Sequence, residues 1–532
     1  MFLIKLIKKI FSILILIIFI LLILNYSIIK KKFIQNINKK TVLLFNINGI
    51  IIENKNINNL WDKFNFNLFK IKNKKTIKNT LFNIIKIIRL SKNDKNITGI
   101  ILKLNNFLGT DQTSLEYIGK ILNEFKKSGK PIYAISNNYN QAQYYLASYA
   151  NKIYMYSNGF IDLHGLYNDK FYYKSLLNKL KINSHIFRIG FDKNAIDTYI
   201  YNNMPTKTKI SENKWLNKLW LNYIYDISKN RKLKTYNIIP NIIEFLKKNL
   251  KKNYINNYNL KNKLIDKILS PIKIKKKLIK IFGLNKNKNN YKFLNFYNYK
   301  IYKSLEKSYE ISVIFINGKI INYKKYNNDI YNIVNKLKNA RLNPNTKAVI
   351  LKINSPGGNI IASENIRAEV SNLKFSGKPV IVSMGNLCAS GGYWISTSAN
   401  IIIADRSTIT GSIGIFNIIN TYEKTLNLFG INYDGSNIFP LSSVKLNKNL
   451  TPYATKLIEL NIKMGYKYFI KLISKNRQLT PKEINNIGQG RIFIGKEAKI
   501  NKLVDKIGDF DDAVNQAVKL SKLKNWHLNW IK

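Results

Sequence analysis

The sequence predicts an α/β protein built as two similar tandem domains behind one apolar N-terminal segment. Three observations predict it: blocks that occur twice in the same order, short β-branched runs separated by helix-like stretches, and a single long apolar run near the start. With 532 residues, 45% of them hydrophobic, the chain can build several cores and is too apolar for wholesale disorder.

The apolar run comes first. Lys5, Lys8 and Lys9 precede Ile10 to Leu24, and the run continues through Asn25-Tyr26-Ser27 to Ile28-Ile29 before Lys30-Lys31-Lys32. Twenty helical residues rise about 30 Å, the thickness of a bilayer's hydrocarbon core, so 10–29 is expected to span a membrane within an anchor at 1–32. A cleavable leader would have a shorter apolar region followed by small residues, and neither is present. Lysines flank both sides, so charge assigns no orientation. No second run of this length follows, and the rest is expected to be a soluble body tethered at one end.

That body contains an internal repeat. Val42–Gly49 resembles Ile311–Gly318, each an apolar stretch ending in Asn-Gly, and Gly99–Asn105 matches Ala348–Asn354. Gly129-Lys130-Pro131-Ile132 returns as Gly377-Lys378-Pro379-Val380, Tyr144–Asn151 as Tyr393–Asn400, Ser228–Arg231 as Ser474–Arg477, and Asn262–Lys267 as Asn501–Lys506. Paired positions lie 269 residues apart at Asn48 and Asn317, 249 at Ala150 and Ala399, and 239 at Asn262 and Asn501. A slow drift in constant order is the trace of one duplication with small insertions, not of a solenoid. The expected domains are 41–284 and 310–532, joined by a Lys- and Asn-rich linker at 285–309. Within a copy, Ala348–Ile353 and Val380–Ser383 are apolar without alternation and read as buried strands, with a helix over Ala362–Asn372 between them. Strand, helix, strand argues for a parallel sheet.

Composition excludes several functions. A lone cysteine, Cys388, rules out a disulfide framework and every multi-Cys zinc site, and His164, His185 and His527 form no spaced metal box. No metal and no cofactor are expected. The 88 Lys and Arg against 29 Asp and Glu give a formal net charge of +59, which invites a nucleic-acid reading. The lysines are scattered rather than concentrated, and alternate with Ile, Asn, Tyr and Phe, residues that share AT-rich codons. Biased composition suffices, and no nucleic-acid partner is expected.

Catalysis is expected where the copies diverge, because scaffold needs are shared. The second copy has Asn354-Ser355-Pro356-Gly357-Gly358, where the first reads Asn105-Asn106-Phe107-Leu108-Gly109. It also has Cys388-Ala389-Ser390-Gly391-Gly392-Tyr393, where the first places Gln141, no nucleophile, opposite Ser390. A serine followed by glycine can present its hydroxyl on a strand-to-helix turn, with the Gly391 amide aimed at an oxyanion. Gly357-Gly358 lets a second N–H approach without a Cβ in the way. Two such donors, each worth about 3–4 kcal/mol, are the electrostatic core of acyl transfer. Either glycine pair alone reads as a turn; together in one copy they mark a site. Ser390 needs a base, and neither His185 nor His164 sits in a Ser-His-Asp pattern. A buried, neutral Lys would serve, but composition does not choose among so many. Cys388 lacks a following glycine and reads as a small core residue.

At these residues the sequence resembles the long-form bacterial signal peptide peptidase A (protease IV) family. The resemblance is carried by Asn354–Gly358, Ala389–Ser396 and Thr410–Phe416 in the second copy, and by Gln143–Ser148, Asp162–Gly165 and Phe187–Lys193 in the first. It implies two tandem ClpP/crotonase-like domains and a Ser-Lys dyad with Ser390 as nucleophile and Lys193 as general base. Each copy then keeps half of the pair, since the place of Lys193 falls near Ser442 in the second. It further implies a supporting hydroxyl at Ser412, oxyanion donors at Gly391 and the Gly357-Gly358 turn, and a homotetrameric bowl on the bacterial inner membrane with the body on the periplasmic side. Its substrates would be released signal peptides and other hydrophobic peptides. The chain stops soon after Trp526-His527-Leu528, short of the family's expected length, which bears on assembly rather than chemistry. Two other readings remain at this point: an acyl-CoA enzyme on the crotonase fold, and a non-catalytic basic membrane scaffold binding anionic lipid or nucleic acid.

Overall fold

The computed structural model describes residues 40–54, 77–239, 254–299, 309–322, 330–436, 438–439 and 445–531. The expected anchor at 1–32 and the neighbourhood of Ser442 lie outside the described residues. Among those described, no helix is long and apolar enough to cross a membrane.

The first half contributes β1 (Thr41–Asn46), β2 (Gly49–Ile52), β3 (Lys78–Thr80), β4 (Ile97–Lys103), β5 (Phe107–Gly109), β6 (Ile132–Ser136), β7 (Lys152–Met155), β8 (Asn183–Ile189), β9 (Lys267–Ile268) and β10 (Phe293–Asn295). The second contributes β11 (Tyr309–Asn317), β12 (Thr346–Ser355), β13 (Val380–Ala389), β14 (Ile401–Ala404), β15 (Ile409–Gly411), β16 (Ile415–Thr421), β17 (Ile492–Ile494), β18 (Lys506–Ile507) and β19 (Trp526–Ile531). The main sheet of the first half is wholly parallel in the order β10-β1-β4-β6-β7-β9. The second repeats it strand for strand as β19-β11-β12-β13-β14-β18, with β15 and β17 added beyond the far end of β13.

The repeated sequence blocks are repeated hydrogen bonds. Lys130 Nζ donates to the carbonyls of Ser91, Lys92 and Asp94, and Lys378 Nζ to those of Ala340, Arg341 and Asn343. Each lysine thus satisfies orphan carbonyls at the end of a helix, Leu81–Asn93 or Ile330–Leu342, where a cation is favoured. Asn151 Oδ1 accepts from the Ile132 N–H and Asn400 Oδ1 from the Val380 N–H, at 2.8 and 2.9 Å. Tyr144 and Tyr393, both fully buried, donate to the carbonyls of Leu264 and Leu503, each at 2.8 Å.

One boundary differs from expectation. β10 pairs in parallel with β1, through Val42↔Phe293 to Leu44↔Asn295, so the first sheet closes inside the 285–309 stretch expected as linker. The stretch is rich in Asn and Lys, yet Leu294 and Phe296 are buried against the sheet. Of the expected linker, 300–308 lies outside the described residues.

The halves share a core. Ile311, Val313, Ile350 and Ile381, on one face of the second sheet, belong to the same buried cluster as Leu43, Ile100 and Ile132 of the first half. The opposite face, with Ile314, Val349, Leu351 and Val382, packs beneath the second half's own helices. Strands buried on both faces need no polar alternation, which is why these read as unbroken apolar runs. Phe82 of the first half meets Phe315, Phe510 and Trp530 of the second, with ring centroids 4.7–6.0 Å apart.

Candidate active site

The two halves are also joined by a pairing of strands. β8 of the first half pairs antiparallel with β16 of the second, from Ile189↔Ile415 to Asn183↔Thr421. Lys193 follows β8 by four residues and Ser412 precedes β16 by three, so this ladder fixes both relative to each other. The Lys193 turn is held by its N–H donating to Gly190 O at 3.1 Å and by Asp192 N–H donating to Gln489 O at 2.7 Å. Gly490 N–H donates to Ile413 O and Ser412 N–H to Arg491 O, each at 2.7 Å, so a single loop braces both residues. Gly490 has φ +80, and a Cβ there would stand 2.4 Å from the Lys193 nitrogen; glycine is required by the closeness of the two backbones. An Arg491–Asp192 ion pair at 3.2 Å closes the loop against the first half.

Ser390 follows β13 directly and caps the helix Gly391–Ser396 with φ 54 and ψ −117, a backbone region costly for any residue with a side chain. Donation of Ser390 N–H to Gly411 O at 2.9 Å and of Trp394 N–H to Ser390 O at 2.8 Å holds it there. The turn leaves the hydroxyl facing Lys193, whose Nζ lies 3.0 Å from Ser390 Oγ, 2.8 Å from Ser412 O and 2.9 Å from Ser412 Oγ. Lys193 is only 3% exposed, and burial brings its ammonium down from an ordinary 10.5 to about 7. A neutral amine has two hydrogens and one lone pair. Ser412 O can only accept, so two N–H bonds to Ser412 leave the lone pair for the Ser390 hydroxyl.

The glycines divide their work. Gly391 is the first residue of its helix, where an N–H has no intrahelical acceptor. The Gly358 nitrogen lies 3.1 Å from the place a Cβ on Gly391 would occupy, beside the same point. Gly357 does not fit the expected donor role, because its N–H donates to Ser355 Oγ at 3.1 Å. What Gly357 supplies is closeness: with φ +94, a Cβ there would stand 2.5 Å from Gly391 N and 2.8 Å from Ser390 Cβ.

The other candidates fall away. Cys388 is fully buried, its thiol pushed up to about 12 by that burial, and its Sγ sits 3.5 Å from Ser396 Oγ. His185 lies within the β8–β16 ladder with Nε2 3.1 Å from Thr421 Oγ1, and burial lowers its pKa. His164 pairs with Asp162 at 3.1 Å, in the first half. Among the described residues no cluster of His, Cys, Asp and Glu could hold a metal ion. Sequence reasoning missed the Gly488–Arg491 loop, whose one local signal is two closely spaced glycines, and it missed the role of the Ser412 carbonyl.

Residues 124–278 and 372–524 each match peptidase family S49, one match in each half. The chain is 43% identical over 493 residues to protease 4 of Salmonella typhi, covering 92% of this chain and 79% of that protein. The chain belongs to peptidase family S49. Protease 4 of Haemophilus influenzae is 36% identical over 90% of this chain and 78% of its own length. The chloroplastic serine protease SPPA of Arabidopsis thaliana is 25% identical over 81% of this chain and 64% of its own. As an S49 member the chain is a serine peptidase of tandem α/β halves, and the acyl-CoA and scaffold readings give way.

The share of the Ser412 hydroxyl in the site can be measured. Ser412→Gly, which suits its φ of +51, removes the 2.9 Å bond to Nζ and keeps the carbonyl. With a fluorogenic apolar peptide, kcat is expected to fall about ten- to a hundredfold with KM little changed. An unchanged kcat would remove the hydroxyl from the mechanism.

Proposed function

We propose that this S49 peptidase is a membrane-anchored endopeptidase with a Lys193–Ser390 dyad that degrades released signal peptides and other hydrophobic peptides. The observation that carries the reading is the buried Lys193 Nζ at 3.0 Å from Ser390 Oγ. Neutral Lys193 takes the Ser390 proton as Oγ attacks the scissile carbonyl. The N–H groups of Gly391 and Gly358 receive the oxyanion, and Lys193 returns the proton to the leaving amine. Water, deprotonated by the same amine, then releases the acyl group from Ser390. The similarity to two proteins called protease 4 supports the peptide substrate. The apolar stretch 10–29 supports a single-pass anchor in the bacterial inner membrane, with the body on the periplasmic side, and the two parallel-sheet halves support a ClpP/crotonase-like unit in each. A homotetramer completes the proposal.

The test is active-site labelling with a fluorophosphonate probe and mass-spectrometric location of the adduct. The label is expected on Ser390, and Ser390→Ala is expected to lose both label and peptide hydrolysis while its melting profile is retained. Labelling elsewhere, or full hydrolysis by Ser390→Ala, would overturn the reading.

A further inference from the structure

The first half retains the strand pairings that frame the site without its chemistry. The isolated bridge Ile320↔Gly358 in the second half has its counterpart in the pairing Ile50↔Gly109 of β2 with β5. The pairing Cys388↔Thr410 has its counterpart in the bridge Tyr139↔Ile161. Between these anchors the constant spacing of 249 puts Gln141 in the place of Ser390 and Leu163 in the place of Ser412. The strand pairings that frame the site are therefore duplicated, while the positive-φ turns at Gly357, Ser390 and Ser412, the nucleophile and the hydroxyl that would steady a base are gone.

The space has not closed. A cavity of about 470 Å³ stands at this position, walled on one side by Ile50, Ile51 and Leu108 and on the other by Gln141, Ala142 and His164. That volume is within the range of ligand pockets, roughly 300–1,000 Å³. Leu108 is 61% exposed, an apolar side chain held in a wall rather than in the core. Gln141 is fixed by its Oε1 accepting from the Gly165 N–H at 3.0 Å and by its carbonyl accepting from the Tyr223 hydroxyl at 2.7 Å. Its Nε2 has no protein acceptor among the described residues and can donate to a carbonyl. β5 is the outer strand of the three-stranded ladder β3-β2-β5, so its far edge is not taken by another strand there. Apolar walls, a fixed amide donor and a strand edge together are the chemistry that holds an extended apolar peptide.

We infer that this cavity is a second, non-hydrolytic peptide pocket, taking an apolar side chain and the adjoining backbone carbonyl of the same class of peptide that Ser390 cleaves. The choice of ligand rests on the reading above. A long substrate held here would be retained between cuts, while a short one gains nothing.

The experiment uses the full chain carrying Ser390→Ala and a ten-residue apolar peptide bearing a photoactivatable diazirine and a fluorophore. Two classes of site are expected per chain, with crosslinks mapping to 108–110 and 140–142 as well as near residue 390. Leu108→Asp, at an exposed position, is expected to weaken the first class about tenfold or more and to leave the second unchanged. Gln141→Glu keeps the acceptor for Gly165 and removes the donor, and is expected to weaken the same class. In the chain with Ser390 intact, Leu108→Asp is expected to raise KM severalfold for the long peptide and not for a tripeptide ester. One class of site, or crosslinks absent from the first half, overturns the inference. Failure of fluorophosphonate labelling at Ser390 overturns the proposed chemistry instead, and leaves the crosslink result readable on its own.

Discussion

Peptide hydrolysis is expected to rise with pH through about 7 and to level off above it, and Lys193→Met is expected to remove the activity at every pH. The sign follows from the base. Lys193 must be neutral to accept the Ser390 proton, so below about 7 each unit of pH costs about tenfold in kcat/KM. An exposed lysine at pH 7 is neutral in only about one molecule in three thousand, whereas the buried one is neutral in about half. Burial therefore supplies roughly a thousandfold in usable base, and it has a cost that a second measurement reads. The folded pKa, about 7, lies below the ordinary 10.5, so between those values the unfolded chain binds the extra proton. Stability is expected to rise with pH across that window, and the penalty is complete below it. Lys193→Met, having no proton to lose, is expected to melt higher than the parent at pH 6, with a gain on the order of a few kcal/mol that shrinks above pH 7. A rate profile flat from pH 5 to 9, or a Lys193→Met variant with appreciable activity, would remove Lys193 as the base.

Much of this protein was legible in its sequence where the cause is local. Buried parallel strands announce themselves as apolar runs, and the Lys130 and Lys378 clamps preserve short blocks because each holds a helix end. Ser390 and the Gly357-Gly358 pair stood out because sterics at a tight turn restrict residue type. The base was different. Nothing local separates Lys193 from the other lysines, since what lowers its pKa is burial between two halves; only the resemblance to a known family pointed to it. The same holds for Gly490, whose need for glycine arises from Lys193, almost three hundred residues earlier in the chain. It holds also for Gly357, which the turn suggested as a donor and whose N–H is taken by Ser355. β10, three residues in a polar stretch, carries too little pattern to mark the end of a domain.

Breaking one buried ion pair between the halves is expected to cost about 3–5 kcal/mol. Glu53, just after β2, lies 2.9 Å from Lys352 Nζ on β12, and both side chains are almost wholly buried. Lys352 Nζ also donates to Met384 O at 3.1 Å, while Glu53 Oε2 has no hydrogen-bond partner among the described residues. Burial raises the Glu53 pKa, more than the nearby Lys352 lowers it, so the protein holds this carboxylate against its preference. The pair is thus poor evidence of net stabilisation, yet removing one member is costly because the other charge stays buried. Glu53→Ala is expected to lower the urea midpoint by the equivalent of that cost. Glu53→Met combined with Lys352→Met is expected to regain most of it, since two apolar side chains fill the space with no charge to desolvate. Lys352 leads along β12 to Asn354 and the Ser355–Gly358 turn, so Glu53→Ala is also expected to lower kcat before it unfolds the chain. A Glu53→Ala protein within 1 kcal/mol of the parent, or a double variant no better than the single one, would show that the halves are held by their apolar faces alone.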